Sequence, residues 1–161
     1  MVKNEYSIVY ERYTAQNELQ ESDRELLKAA GSALLTAYAP YSKFQVGAAA
    51  RLANGQIEQG SNQENAAFSQ CVCAEQNLLT TIGARHPGDE ISAIAVTAQH
   101  ESVSIGKPVF PCGSCRQILT EFRQRQESPI RIILQGAEGD ILVFEDVSDL
   151  LPFAFSGEML G

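Results

Sequence analysis

Cys73, Cys112 and Cys115 each fall at the start of a segment with helical character, the first over about residues 73–83 and the second over about residues 113–125. A helix N-terminus lowers a thiol pKa and favours the thiolate, which is the form that binds metal. Cys112 and Cys115 are one helical turn apart, so both sulfurs can face one point, and a third thiolate from a neighbouring helix start completes a tripod. Three protein ligands leave a fourth position for water, as catalytic rather than structural zinc requires. Glu75, two residues after Cys73, projects beside such a metal without being forced to coordinate it. A proton shuttle belongs there: zinc brings the pKa of bound water to about 7, and a neighbouring carboxylate can accept that proton and return it to a substrate nitrogen. Hydroxide attack and departure of ammonia then become possible near neutral pH.

Plainer readings stand beside these. Cys71 could close the metal site as a fourth thiolate, but only one residue separates it from Cys73, whereas structural pairs usually enclose about two to four. Cys71 is therefore expected to be a small buried residue that happens to be a thiol. Glu75 alone would pass for a first-turn carboxylate favoured by the helix dipole; three flanking thiols argue otherwise.

The elements that must position these groups can be read from periodicity. Ser22 to Glu25 forms a capping box, and Leu26, Ala30, Ala33, Leu34 and Ala37 form an apolar stripe running to Pro40, which predicts a first helix. Strand-like residues 44–53 and 56–61 flank Asn54-Gly55, a hairpin signal. Further strands are expected over residues 91–98, 130–135 and 141–144, followed by a helical turn leading to Leu150-Leu151-Pro152. Strands interleaved with helices predict an α/β fold, with helices on both faces of a mixed five-stranded core sheet. Residues 1–21 read as an N-terminal extension whose Tyr6, Ile8, Val9, Tyr10 and Tyr13 could add or cover an edge strand, and residues 22–161 as one catalytic domain.

Composition limits the partners. The 161 residues are 44% hydrophobic, enough for a single core. Twelve Lys and Arg against 20 Asp and Glu leave a net charge of −8, which repels phosphates and argues against a nucleic-acid partner. No apolar segment is long enough for a signal peptide or a membrane span, so a soluble, cytoplasmic protein is expected, with its thiols kept reduced. Two histidines, His86 and His100, exclude a His-Glu-x-x-His metalloprotease and fall in polar stretches where exposure is expected.

A ligand-x-Glu followed by Pro-Cys-x-x-Cys is the signature of zinc-dependent deaminases. Within that superfamily, Pro40-Tyr41-Ser42-Lys43-Phe44-Gln45-Val46-Gly47-Ala48-Ala49, Asn62-Gln63-Glu64-Asn65, Cys73-Ala74-Glu75 and Pro111-Cys112-Gly113-Ser114-Cys115-Arg116-Gln117 closely resemble the small, homotetrameric cytidine deaminases. The resemblance spans about residues 22 to 155 and implies a three-layer α/β/α fold. It also implies Zn2+ held by Cys73, Cys112 and Cys115, with Glu75 as the acid/base. Asn62 and Glu64 would hold the ribose hydroxyls, Phe44 would stack in the base pocket, and Ala74 would offer a backbone contact to the base. Phe155 would enter a pocket belonging to another subunit, so that active sites are shared. The implied reaction converts cytidine and deoxycytidine to uridine and deoxyuridine with release of ammonia, in pyrimidine salvage.

Residue chemistry agrees on substrate class. Asn62 and Glu64 are two apart in an extended segment and point the same way; a carboxylate there binds sugar hydroxyls and repels phosphate, favouring nucleosides over nucleotides. A free base would leave both unpaired. One departure stands out: many relatives carry Arg directly after Cys-Ala-Glu, and this chain has Gln76. Three thiolates on Zn2+ leave a net charge of −1, so Arg116 and the helix dipoles must offset it. Phe68 is expected as pocket wall or core, and Tyr41 either beside the site or under the first helix. The apolar run Leu150-Leu151-Pro152-Phe153-Ala154-Phe155 suggests burial against another chain. Competing functions are deamination of a cytosine-containing antibiotic such as blasticidin S, a non-catalytic zinc-stabilised binding module, and a polynucleotide deaminase. Asn62 with Glu64, intact Glu75 and the acidic charge argue against each in turn.

Overall fold

A computed structural model describes residues 1–161. Side-chain alternation builds the sheet. In strand Phe44–Leu52 (β2), Ala48, Ala50 and Leu52 face one way and Ala49 the other; in Ile91–His100 (β4), Ile94 and Val96 oppose Ala93 and Ala95. Both faces of these central strands are buried, which is why they read as nearly continuous apolar runs. Ile57–Ser61 (β3) pairs with β2, and Arg131–Gln135 (β5) and Ile141–Phe144 (β6) extend the sheet beyond β4. Only the β4–β5 pair is parallel, so the sheet is mixed.

Helix Glu21–Ala33 (α1) covers one face, with Leu26, Leu27 and Ala30 packed in a cluster with Ala49, Ala95, Ile133 and Val143. Helices Ala74–Arg85 (α2) and Gly113–Gln124 (α3) cover the other, where Leu78, Ile82 and Leu119 join Ala48, Ile94, Val96, Ile132 and Leu134. The three-layer expectation holds. No helix is long and apolar enough to cross a membrane.

Several expectations are corrected. The sheet has six strands rather than five, because Glu11–Tyr13 (β1) pairs antiparallel with β6, giving the order β1-β6-β5-β4-β2-β3. Arg131 ties this added strand down by binding Glu11 as well as Asp23 and Glu145. Ser22 does not cap α1: the N-cap is Gln20, without a side-chain bond, and Arg51 donates to both Ser22 O and Glu25 Oε2, drawing Glu25 away from the backbone. The helix ends at Ala33, and a 3-10 turn Leu34–Thr36 replaces its expected continuation to Pro40.

The β2–β3 hairpin closes through Leu52 N donating to Gln56 O, with Gly55 at φ 88° and Asn54 outside the left-handed region. It is therefore a three-residue loop with glycine at its positive-φ position, not a two-residue turn. Neither histidine is fully exposed. His86 Nε2 lies 2.8 Å from Glu58 Oε1 with only 15% of its side chain exposed, and His100 Nδ1 accepts from Ser102 N at 3.1 Å.

Candidate active site

The starts of α2 and α3 meet at one point. Cys73 is the N-cap of α2 and Cys112 the N-cap of α3, both with extended backbone, and Cys115 follows in the first turn of α3. Cys112 Sγ accepts from Cys115 N at 3.4 Å, so this cap positions one sulfur against the other's helix turn. The three Sγ atoms lie within 4.8 Å of one another, and Cys73 and Cys112 Sγ are 3.9 Å apart. Soft sulfur donors converging from two helix starts suit Zn2+. Hydrogen bonds from Cys115 and, secondarily, Cys112 bring the Cys73 pKa down to about 6, against burial and the nearby Glu75. The bond to Cys73 together with burial pushes the Cys115 thiol up.

Cys71 is outside this group. It is exposed, not buried as expected, and its sulfur accepts from Asn65 N at 3.3 Å. Its place leaves the tripod at three protein sulfurs, in keeping with a site that has an open position.

Glu75, in the first turn of α2, is 5% exposed, and burial raises its pKa above the ordinary carboxylate range; its own backbone N–H and the Cys115 thiol pull the other way. Ala74, fully buried, lies between it and Cys73. Cys73, Ala74, Glu75 and Cys112 all line one cavity of about 420 Å3, whereas Cys115 lies behind it in the core. A larger cavity of about 950 Å3 lies along α1 beside Thr97 and Gln135, and contains none of these groups.

Phe44, Asn62 and Glu64 line the same 420 Å3 cavity, which brings the remaining expected base- and sugar-facing positions beside the thiols. The Asn62 side chain is built into the end of β2: Nδ2 donates to Phe44 O at 2.9 Å and Oδ1 accepts from Val46 N at 2.8 Å. Glu64 Oε2 accepts from Tyr41 N at 2.9 Å and Ser42 N at 3.2 Å. Its carboxyl is held below the usual range by the Ser42 hydroxyl, these backbone donors and Lys43. The pocket thus receives a fixed carboxylate.

Arg116 donates from Nε to Pro111 O at 2.9 Å and from Nη1 to Leu150 O at 3.0 Å. Its guanidinium therefore clamps the segment leading into Cys112. Gln76 is half-buried in the first turn of α2, its carbonyl accepting from the Thr80 hydroxyl. Phe155 is 56% exposed and outside the cavity lining, with its carbonyl bound by Gln117 Nε2 at 2.9 Å. Phe68 is neither pocket wall nor core: it is 72% exposed, packed edge-on against an exposed Tyr41. Sequence reasoning missed Val72, Val109 and Phe110 in the lining. Their proximity in the chain to the thiols, Val72 to Cys73 and Val109 and Phe110 to Pro111-Cys112, is the one signal that could have pointed to them.

A three-layer α/β fold carrying three thiols at two helix starts beside a buried carboxylate defines the class of metal-centred hydrolytic sites. The chain matches the sequence profile of the cytidine and deoxycytidylate deaminase zinc-binding region over residues 20–128. It is 39% identical over 137 residues to the cytidine deaminase of Halalkalibacterium halodurans, covering 84% of this chain and 96% of that protein. It is 41% identical over 127 residues to the cytidine deaminase of Sporosarcina psychrophila, covering 77% and 84%. The 1.6 Å crystal structure of cytidine deaminase from Burkholderia pseudomallei superposes with a TM-score of 0.71 at 39% identity, over 81% of this chain and 97% of that one. The chain belongs to the cytidine and deoxycytidylate deaminase family, whose zinc-binding region it carries.

Proposed function

We propose that this protein hydrolyses cytidine and deoxycytidine to uridine and deoxyuridine, consuming water and releasing ammonia. The observation that carries the reading is the single cavity in which the thiol cluster and buried Glu75 share a wall with Phe44, Asn62 and Glu64. Cys73, Cys112 and Cys115 would hold Zn2+. When bound, the metal supplies Lewis-acid activation of water near neutral pH.

Glu75 does the proton work. Its burial lets the carboxyl hold a proton at a higher pH than an exposed carboxylate does, and so accept it from water and deliver it to N3 of the pyrimidine. Protonation at N3 makes C4 electrophilic, the hydroxide left from water bonds to C4, and Glu75 carries the new hydroxyl's proton to the exocyclic nitrogen, so the C4–N bond breaks, ammonia leaves and a C4 carbonyl remains. Phe44 stacks on the base, the Ala74 backbone meets its polar edge, and Asn62 with Glu64 takes the sugar hydroxyls. Glu64, held anionic, disfavours a phosphorylated sugar. Arg116 and Gln76 flank the ligand positions, Arg116 by holding Pro111 O.

The functional unit in this reading is a homotetramer with Phe155 completing a neighbour's pocket, acting in pyrimidine salvage in the cytoplasm. Residues 1–21 form an extension to the catalytic domain 22–161. Metal analysis joined to an ammonia-release assay tests the activity: about one zinc per chain and turnover of cytidine are expected. Turnover of blasticidin S in place of cytidine, or zinc without turnover of either, would overturn it.

A further inference from the structure

Phe110 belongs to two cavities at once. On one side it lines the 420 Å3 cavity with Glu75 and Cys112; on the other it lines a cavity of about 380 Å3 with Ile8 and Tyr10 of the N-terminal segment and with Phe144. Its ring is held in place. Phe144 meets it at 6.4 Å and 70°, an edge-to-face geometry, and the Arg116 guanidinium lies 5.9 Å from its centroid while binding Pro111 O next along the chain. Tyr10 in turn lies 5.5 Å from Phe144.

A Phe ring braced on this side yet 42% exposed is an apolar surface awaiting cover. The cavity it lines contains a second aromatic, Phe44, and a flat pyrimidine is well matched to aromatic surfaces. We propose that Phe110 is a second aromatic contact for the pyrimidine nucleoside, held in position through Phe144 by Tyr10 of the N-terminal segment. The proposal rests on the reading of the cavity as a nucleoside site. Phe110 acts by touching the ligand; Tyr10 is a positioning residue.

Calorimetric titration of the zinc-loaded protein with uridine, the expected product, tests this directly. Phe110→Ala is expected to weaken uridine about tenfold, Phe110→Tyr less than about twofold, and Tyr10→Ala about threefold. Tyr10→Ala should add nothing in the Phe110→Ala background, because its effect passes through the ring that is gone. The cytidine KM should rise with the uridine Kd and by more than kcat falls. An unchanged uridine Kd in Phe110→Ala overturns the contact, and an equal loss from Tyr10→Ala in both backgrounds overturns the bracing. Should Phe110→Ala not fold, Phe110→Leu takes its place, with an expected loss of about threefold and an unchanged Kd again overturning the contact. Uridine binding by the wild type, with this pattern of losses across the variants but no release of ammonia from cytidine, supports the inference and overturns the proposed function. Turnover with a Phe110-independent Kd does the reverse.

Discussion

Glu75 is a carboxyl group placed almost wholly out of water beside thiols, an arrangement that costs stability and is characteristic of functional sites. Glu75→Gln preserves the volume and removes the carboxyl's ability to take up and return a proton. It should keep zinc and thermal stability while lowering kcat by about 10²- to 10⁴-fold. Substantial residual turnover in metal-replete protein would show that the proton moves by another route. The thiols separate in the same way. Cys115 lies in the core at 1% exposure, within 4.8 Å of the other two sulfurs, whereas Cys71 is exposed and bonded to Asn65. Cys115→Ala should therefore lose zinc and stability together, and Cys71→Ser should retain stoichiometric metal by atomic absorption. Metal loss from Cys71→Ser would make that thiol a fourth ligand.

At the scale of elements, precision comes from how closely the helices sit on the sheet. A Cβ at Gly60 of β3 would stand 2.7 Å from Ala74 O and 2.6 Å from Leu78 N, so only glycine lets the first turn of α2 rest where it does. That turn carries Glu75. Gly60→Ala should destabilise the fold by about 1–3 kcal/mol and lower kcat, by lifting the carboxylate from its place beside the thiols. Chemical denaturation with steady-state kinetics would check it, and full activity in a destabilised variant would separate the helix seat from catalysis. The first helix was legible in the sequence because burial on one face forces a period on Leu26, Leu27 and Ala30, and the central strands because burial on both faces leaves nearly continuous apolar runs such as Ala48-Ala49-Ala50. The thiol cluster was equally legible, since helix geometry turns the Cys112–Cys115 spacing into proximity. What escaped depended on tertiary partners: Arg51 takes Glu25 from the capping box, and only the hold of Arg131 on Glu11 decides that residues 11–13 add an edge strand rather than cover one, a choice the sequence left open. Phe110 reaches the cavity by a loop path with no periodicity, which no pattern reports.

The whole molecule leaves several large apolar side chains uncovered. Phe153 is 92% exposed and Phe155 56%, while Phe68 and Tyr41, packed edge-on against each other, are exposed at 72% and 51%. Apolar groups so arranged call for another chain. Phe155 lies outside the cavity of its own subunit, so a shared site requires it to reach a neighbour's. Complementation can test that sharing. Glu75→Gln and Phe155→Ala proteins should each be impaired when pure, the first through proton transfer and the second through loss of a base contact. Co-expressed with different affinity tags and purified through both, mixed oligomers should contain some sites with intact Glu75 from one subunit and intact Phe155 from another. Their activity should exceed the sum expected from the separate variants at the same subunit concentrations. If doubly tagged oligomers form and recover nothing, or if Phe155→Ala alone matches the wild type, each chain completes its own site.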